Sequence, residues 1–351
     1  MSVIAPTTNA TQRGPAQAIA SRGPLSAAVL SDLFEEDHED HRVLARDVLE
    51  RGGDVIVDDD VQLALFVLYA SFYGSVDGLS AEQEWKPDLI QTRRLLERGF
   101  ELGLRRAVLM PELPAPTVDA VATALFDLTG ADGGPSLSRY VARRATLAQI
   151  KEFLVQRSIY TLREADPHSW AIPRLQGRAK AALVEIQSDE YGAGRPDRVH
   201  ATIFAKTLRA AGLHDAYGTY INAVPAITLA SVNMMSMFGL NRRLLGAIVG
   251  HLAAFEMTSS IPNRFYGEGM RRLSMGDDVT DYFDEHVEAD AVHEQIAGRD
   301  LAGALAEDRP ELLPDIMFGA AACLAVDGWA GAHMLDSWSA GRSSLRTELT
   351  S

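Results

Sequence analysis

The sequence predicts an all-α protein, and three observations carry the prediction. Almost half of its 351 residues are hydrophobic (47%), and the apolar segments are rich in Leu and Ala rather than in alternating β-branched residues. Within these segments the apolar residues recur at helical spacing. Short stretches that contain Gly and Pro separate one segment from the next. Together these features predict a bundle of helices around one or more apolar cores.

In the N-terminal part, the first helix is expected over about 24–34. The segment that follows ends at Gly52 and Gly53, a pair typical of a helix stop. Three aspartates at 58–60 then precede a strongly apolar stretch, 61–76, which is expected to form a buried helix. A long amphipathic helix is expected over 86–104, with its leucines on one side.

The C-terminal part repeats the same alternation of apolar segments and breaks. An apolar, Met-bearing stretch at 218–237 is expected in the core. Seven further helical segments are expected, at 117–128, 137–164, 177–190, 199–213, 243–259, 277–294 and 312–345. The segments 137–164 and 312–345 are each expected to contain one or two helices.

Breaks in the pattern divide the chain into three regions. Residues 1–24 have no apolar period and are expected to form a disordered tail. A Pro-rich turn near 113 and the Gly-rich stretch at 130–136 separate a helical N-terminal region, 25–130, from a larger helical region, 131–345.

The composition indicates which class of partner and which cellular compartment to expect. The formal net charge of −15 disfavours nucleic acid as a partner, because binding its phosphates requires a basic face. The single cysteine, Cys323, excludes an intrachain disulfide and a cysteine-based metal cluster. The N-terminus has no apolar leader and no 18-residue apolar run is expected anywhere, so a cytoplasmic protein without a membrane partner is expected.

The segment DYFDEHVEADAVHE at 281–294 contains the most informative pattern. His286, Asp290 and His293 stand at i, i+4 and i+7, which places them on one stripe of a helix. Two imidazoles and a carboxylate are ligand types that suit iron. The alternative is a solvated acidic face, because four further acidic residues surround the three. A metal site would need additional ligands from other helices.

Four residues elsewhere are candidates for those additional ligands. Glu164 and Glu190 close apolar segments and His200 opens the next one, although each taken alone fits a surface charge or a core histidine. Glu256 differs, since it lies in the apolar run HLAAFEM, where an unpaired carboxylate is costly. Three histidines and four carboxylates would suit a carboxylate-bridged pair of irons in a helical bundle: Glu164, Glu190, His200, Glu256, His286, Asp290 and His293.

The order of these motifs resembles the haem-oxygenase-like diiron oxidases and oxygenases. The resemblance rests on a Glu, a second Glu followed by a Gly-rich break and a His, and a terminal His-x-x-x-Asp-x-x-His helix. The stretches READPHSWAIPRL and DEYGAGRPDRVHATIF add to it, and it covers about 135–340. The candidate ligands depart from the ferritins, because none of them forms a Glu-x-x-His motif.

The resemblance implies a haem-oxygenase-like bundle in which the seven residues bind two Fe(II) ions that react with O2. Glu256 resembles the additional ligand of the N-oxygenating members, which implies oxidation of a small amine (an amino acid, a guanidine or a heteroaromatic amine) to a hydroxylamine or nitro product in natural-product biosynthesis. No flavin or nicotinamide fingerprint is present, so an external electron donor is expected. A C-terminal cupin, which one such member carries, is not expected here.

The resemblance also bears on assembly and on the pocket. Residues 25–130 resemble a dimerisation region, which implies a homodimer. Tyr160 and His168 flank Glu164 at i−4 and i+4, so they are candidates for the pocket or for contacts that support the ligands; packing is the alternative for Tyr160.

Two other functions remain open at this point. The same scaffold could perform oxidative C–C cleavage, decarboxylation or desaturation, and Glu256 is the residue that would discriminate these reactions from N-oxygenation. A protein of another class, a non-catalytic helical interaction protein with an acidic face, would bind no iron.

Overall fold

The computed structural model describes residues 19–34, 40–76, 78–131 and 136–349, and for 288–292 it describes the backbone alone. No β-strand occurs in this part of the chain, as predicted. The helices are α1 Pro24–Phe34, α2 His41–Glu50, α3 Asp59–Tyr73, α4 Pro87–Ala107, α5 Val118–Gly130, α6 Leu137–Arg143, α7 Leu147–Thr161, α8 Asp166–Ser169, α9 Gly177–Glu190, α10 His200–Ala210, α11 Ala226–Leu240, α12 Leu245–Met257, α13 Ser260–Arg272, α14 Asp277–Gln295, α15 Ala304–Asp308 and α16 Leu313–Ser339.

The helix ends follow from local side-chain chemistry. The Asp58 side chain accepts a hydrogen bond from the Val61 backbone at the start of α3, and Gly74, in the left-handed conformation, ends that helix. A capping box formed by Thr146 and Gln149 begins α7. These contacts satisfy backbone groups that the helix itself leaves without partners.

The N-terminal helices share a core with the C-terminal ones. Buried side chains of α3, among them Leu63 and Leu65, belong to the same apolar cluster as Met234 of α11. A buried polar contact joins the two helices, since Asn233 Nδ2 donates to Gln62 O at 2.8 Å and to Gln62 Oε1 at 2.9 Å. Burying these groups is tolerated because they are hydrogen-bonded.

The start of the packed chain differs from the expected boundary at 24. Residues 1–18 of the expected tail lie outside the described residues, but 19–23 pack against the fold. The guanidinium of Arg22 donates to the carbonyl oxygens of Ile221 and Val224 at 2.7 and 2.8 Å and pairs with Asp59 at 3.0 Å. These contacts hold a segment that has no apolar pattern of its own.

Three local features were not expected from the sequence. Glu164 does not end a helix, because α7 stops at Thr161 and the residue after Glu164, Ala165, has a φ of 71°. A separate helix, α13, follows α12 directly, and a π-helix, Ile296–Gly303, follows α14. π-Helices are uncommon and often adjoin functional sites.

One long helical segment meets the length and composition criteria for a membrane span, contrary to the expectation that no such run exists. It is Pro310–Ser339, and 56% of its most apolar window is buried inside the fold. The pair Arg242–Met257 and Ser260–Arg272, bent by 49°, meets the same criteria when taken together. A buried core helix also meets them.

Helix α12, which carries Glu256, packs very closely against α16. A Cβ added at Gly250 would overlap the carbonyl oxygen of Ile316, and one added at Gly319 would overlap that of Ala247. Backbone cannot move aside as a flexible side chain can, so only glycine permits this approach.

We expect Gly250→Ala to lower the free energy of unfolding by about 1–3 kcal/mol, as overpacking of a core typically does. Chemical denaturation would measure the change. Gly328→Ala, on α16, is the matched control, because nothing lies within 4 Å of its added Cβ and the change improves helix propensity by about 1 kcal/mol. Equal stability of the two variants would contradict the close packing.

Candidate metal centre

Five segments bring the predicted ligands to one place. The turn after α7 carries Glu164, α9 ends at Glu190, α10 begins at His200, α12 carries Glu256, and α14 carries both His286 and His293. All six side chains are buried, with relative exposures between 2% and 7%. Charged and polar groups of this kind are seldom so deeply buried without a partner or a metal.

The nine residues between Glu190 and His200 turn back on themselves. Gly192 has a φ of 74°, and an added Cβ would lie 2.7 Å from the backbone atoms Arg198 C and Val199 N. Only glycine allows this close approach, which returns the chain to the site. An ion pair between Arg198 and Glu285 then connects the turn to α14.

The ligand atoms fall into two groups that share one carboxylate. Each residue of a group contributes one ligand atom, and within a group these atoms all lie within 4.8 Å of one another. The first group contains Glu164, Glu190, His200 and His286, and the second contains Glu190, Glu256 and His293. The arrangement can hold two adjacent cations, with Glu190 between them.

The orientation of His286 is fixed by Tyr282, one helical turn earlier. His286 Nδ1 donates to the Tyr282 carbonyl at 2.8 Å, which leaves Nε2 on the side of Glu164, 3.6 Å from its Oε1. The Tyr282 hydroxyl lies 2.7 and 2.8 Å from the two carboxylate oxygens of Glu164, to which it donates. Tyr282 therefore positions two of the candidate ligands.

His293 is held in a similar way by Asp189. Its Nε2 donates to Asp189 Oδ2 at 3.0 Å, and its Nδ1 lies 3.3 Å from Glu256 Oε2. Burial opposes protonation of His293 and by itself would lower the pKa of the imidazole. The contact with Glu256, followed by those with Asp189 and Glu190, outweighs burial and raises the pKa of His293 to about 9. The carboxylates thus favour a positive charge at this point, and a cation would replace the proton.

Two other predicted residues, Tyr160 and His168, line a cavity beside the ligand cluster. His168 Nε2 lies within hydrogen-bond distance of His251 Nδ1, at 3.2 Å. Burial lowers the pKa of His168 to about 4, although the charge of Glu164 opposes the shift. His168 is therefore neutral near pH 7.

Asp290, the seventh predicted ligand, lies on α14, but its side chain is outside the described residues. The sequence interpretation missed Tyr282, Asp189 and Gln187, which contact the ligands or line the cavity. Tyr282 could have been found, because it precedes His286 by four residues and shares its helix face. Nothing local distinguishes Asp189 or Gln187 from other polar residues of α9.

The residues present fit an iron site by their chemistry. Carboxylate and imidazole are the donor types that suit non-haem iron, and the two groups supply both. Two buried nitrogens, His200 Nδ1 and His293 Nδ1, lie 3.0 and 3.3 Å from carboxylate oxygens. Neither nitrogen makes a hydrogen bond of acceptable geometry to a described residue. Bound cations would occupy the space between such facing donor atoms.

We expect Tyr282→Phe to weaken iron binding by about 10–100-fold, the usual effect of losing a group that orients metal ligands. The hydroxyl that holds Glu164 would be lost, while the aromatic packing would stay. Anaerobic Fe(II) titration would measure the change. Tyr266→Phe, in the same aromatic cluster, is the control, and identical iron affinity in the two variants would contradict the role of Tyr282.

Comparisons with known proteins agree with this chemistry. Residues 151–328, about half of the chain, match the family model of iron-containing redox enzymes. The chain is 28% identical over 211 residues to the nitrosourea synthase of Streptomyces achromogenes subsp. streptozoticus, covering 58% of this chain and 44% of that protein. The chain therefore spans less than half the length of this curated relative.

A solved structure is also similar, a CADD-like protein of unknown function from Nostoc punctiforme. It is 16% identical to this chain, with a TM-score of 0.49 over 66% of this chain and 99% of that one.

The family match spans most of the elements that carry the cluster, from α7 to α16. It confirms the haem-oxygenase-like helical fold and the oxidoreductase class that the sequence predicted. An iron-binding role for the buried Glu and His side chains follows from the same match and from their donor chemistry. The chain belongs to the family of iron-containing redox enzymes.

Proposed function

We propose that this protein is a non-haem diiron oxygenase that uses O2 to oxidise the nitrogen of a small amine. The observation that carries the proposal is the pair of ligand groups that share Glu190. A carboxylate common to two adjacent groups is what a carboxylate-bridged pair of irons requires. The likeness to a nitrosourea synthase supports nitrogen as the oxidised atom.

In the proposed assignment, Glu164, His200 and His286 would hold one iron, and Glu256 and His293 would hold the other. Glu190 is common to both, and Asp290 completes the set predicted from the sequence. Two Fe(II) ions at these positions would supply the binding site for O2 and would pass on the electrons that the external donor provides.

The proposed reaction needs two electrons from an outside reductant. An amine, O2, two electrons and two protons give a hydroxylamine and water, so that one N–O bond forms and the O–O bond breaks. The two electrons come from an external donor, and the protons come from solvent. Repetition of the reaction on the same nitrogen would lead towards a nitro group.

The protein's own residues prepare the site for this chemistry. Tyr282 orients Glu164, because its single hydroxyl proton is shared between the two carboxylate oxygens. Burial opposes ionisation of Glu164, but His286 and then His200 and Tyr282 outweigh it and lower the pKa of that carboxyl. Asp189 fixes the His293 tautomer that presents Nδ1 to the cluster. Tyr160, Leu252 and Phe255 contribute apolar surface to the cavity, which limits water near the reacting nitrogen.

The homodimer expected for residues 25–130 is part of the proposal. Several apolar side chains at the end of α4 and just beyond it are exposed, including Leu102, Leu109 and Leu113 at 49%, 90% and 47%. Exposed apolar side chains of this kind favour an interface. The molecular mass in solution would test the homodimer.

The function can be tested with iron-loaded protein, a chemical reductant and ¹⁸O2. Candidate amines would be supplied one at a time, and products would be analysed by mass spectrometry. We expect a hydroxylamine that contains one ¹⁸O atom on nitrogen for each turnover. An ¹⁸O label on carbon, or oxidation without incorporation of oxygen, would instead indicate C–C cleavage, decarboxylation or desaturation and would overturn the proposal.

A further inference from the structure

A series of aromatic rings leads away from the ligand cluster. Tyr160 and Phe255 line the cavity beside the cluster, with their ring centroids 5.1 Å apart. Phe255 stacks on His251 at 5.9 Å, and the rings of His251 and His168 lie 5.3 Å apart. His168 lines the same cavity. The inner end of the series therefore adjoins the candidate ligands.

The series continues from His168 to Trp170 through a single tight turn. His168 lies in α8, and the N–H of Trp170, which follows that helix, donates to the carbonyl oxygen of His168. Residues two positions apart have Cα atoms at most about 7 Å apart, so no long gap interrupts the series here. The ring of Trp170 then lies 5.7 Å from that of Phe72 on α3.

The outer end of the series is a tryptophan at the surface. Trp85 contacts Phe72 edge to face, with ring centroids 5.4 Å apart. It is 67% exposed, whereas the other three tryptophans of the chain are buried or half-buried. Tryptophan is on average highly buried in proteins, so this exposure is unusual. The rings from the surface to the cavity are called the relay: Trp85, Phe72, Trp170, His168, His251, Phe255 and Tyr160.

Three members of the relay can be oxidised by one electron. Indole and phenol rings lose an electron far more readily than a phenyl ring, so Trp85, Trp170 and Tyr160 can each hold a radical. Electron tunnelling slows exponentially with distance, and a long transfer is fast only when such side chains divide it into short steps. A single phenyl ring, that of Phe72, separates the two indoles.

We propose that the relay supplies electrons to the candidate metal centre when O2 has been activated there without an amine to receive its oxygen. The inference rests on the proposed function, because that chemistry places a strong oxidant beside Tyr160. Trp85 is the residue at which the electrons enter, since it is the member of the relay that an external donor in solution can reach.

The electron balance gives the reason for such a path. Reduction of O2 to two waters takes four electrons and four protons. In the proposed reaction the external donor gives two of the electrons, and the amine gives the other two as its N–O bond forms. Without an amine, those two leave the indole of Trp85 one at a time through the relay.

Each transfer leaves Trp85 in a state that solvent and donor can restore. Loss of one electron makes an indole radical cation, which passes its N–H proton to water because the ring is exposed. The external donor then returns an electron, and water returns the proton. The net result is that the donor, rather than a buried side chain, is oxidised.

Pulse radiolysis tests the electron path without O2 and without an amine. Azide radicals would be generated in an anaerobic solution of the Fe(II)-loaded protein, where they oxidise tryptophan by one electron. Trp85 is the tryptophan most accessible to them. We expect the absorbance of the tryptophan radical to decay at a rate independent of protein concentration while Fe(III) absorbance appears, because the electron moves within one molecule.

Three substitutions locate the path. Trp170→Phe removes the middle redox-active ring and keeps an aromatic side chain, so we expect loss of the fast decay and of Fe(III) formation. Trp329→Phe is the matched control, because Trp329 lies on α16, which contributes no ring to the relay, and should change neither. Trp85→Phe, at an exposed position, should also abolish Fe(III) formation, which keeps the test available if Trp170→Phe does not fold.

Exposure of the iron-loaded protein to O2 gives a second readout. A chemical reductant and catalase would be present and no amine would be added. Peptide mass spectrometry should find oxygen added to the indole of Trp85 in the wild-type protein and none in Trp170→Phe. Trp85 is equally accessible to oxidants from solution in both proteins, so the difference reports transfer through the relay.

Two results would overturn the inference. One is a radical decay that is the same in Trp170→Phe or that requires collision between protein molecules. The other is equal oxidation of Trp85 in the two proteins, which would indicate attack from solution. Because the radiolysis uses neither O2 nor an amine, fast decay with no N–O product in the labelling experiment would refute the reaction and leave the electron path standing.

Discussion

Glu190→Ala is expected to remove both irons and to lower turnover by at least about 1,000-fold, to near the background rate. Glu190 is the residue common to the two ligand groups, and its carboxylate lies 3.0 Å from His200 Nδ1. Removing it takes a ligand from each iron at once, whereas other single substitutions leave one group complete. Iron content after anaerobic loading and the rate of O2 consumption would measure the effect.

The control for this substitution is Glu185→Ala on the same helix. Glu185 is exposed and belongs to neither ligand group, so its loss should leave iron content and turnover unchanged. Circular dichroism would establish that both variants keep their helical content. If Glu190→Ala still bound two irons, the shared position of Glu190 would be wrong.

Glu256→Ala is expected to have the second largest effect, with loss of one iron and retention of the other. Glu256 belongs only to the group that contains His293. The group formed by Glu164, Glu190, His200 and His286 would stay complete. We expect the iron content to fall from two per chain to one and oxygenase activity to fall to background.

A matched control is Glu268→Ala on α13, an exposed carboxylate. It should retain both irons. Two irons in Glu256→Ala, or none, would contradict the division of the ligands into two groups. Full activity with one iron would contradict the diiron assignment itself.

Most of the candidate centre could be predicted from the sequence because its signals are local. The stripe of His286, Asp290 and His293 is visible in helical spacing alone. Glu256 is conspicuous as a carboxylate in an apolar run. Helix α9, Gly177–Glu190, has the bounds expected from its flanking breaks.

The features that were missed depend on tertiary contacts or on unusual backbone. An alanine gives no indication of the positive φ that Ala165 adopts, since glycine or asparagine normally occupies that conformation. The roles of Asp189 and Gln187 depend on His293 and on the turn at Ala165, both distant in the chain. The π-helix after α14 has no recognised sequence signal.

The most direct test of the account is the number of irons that the chain binds. Anaerobic titration of metal-free protein with Fe(II), followed by calorimetry and by Mössbauer spectroscopy of ⁵⁷Fe, would give both the stoichiometry and the relation between the sites. We predict two irons per chain with spectra that show coupling through a shared carboxylate. One iron or none per chain, with no change in absorbance on exposure to O2, would contradict the account.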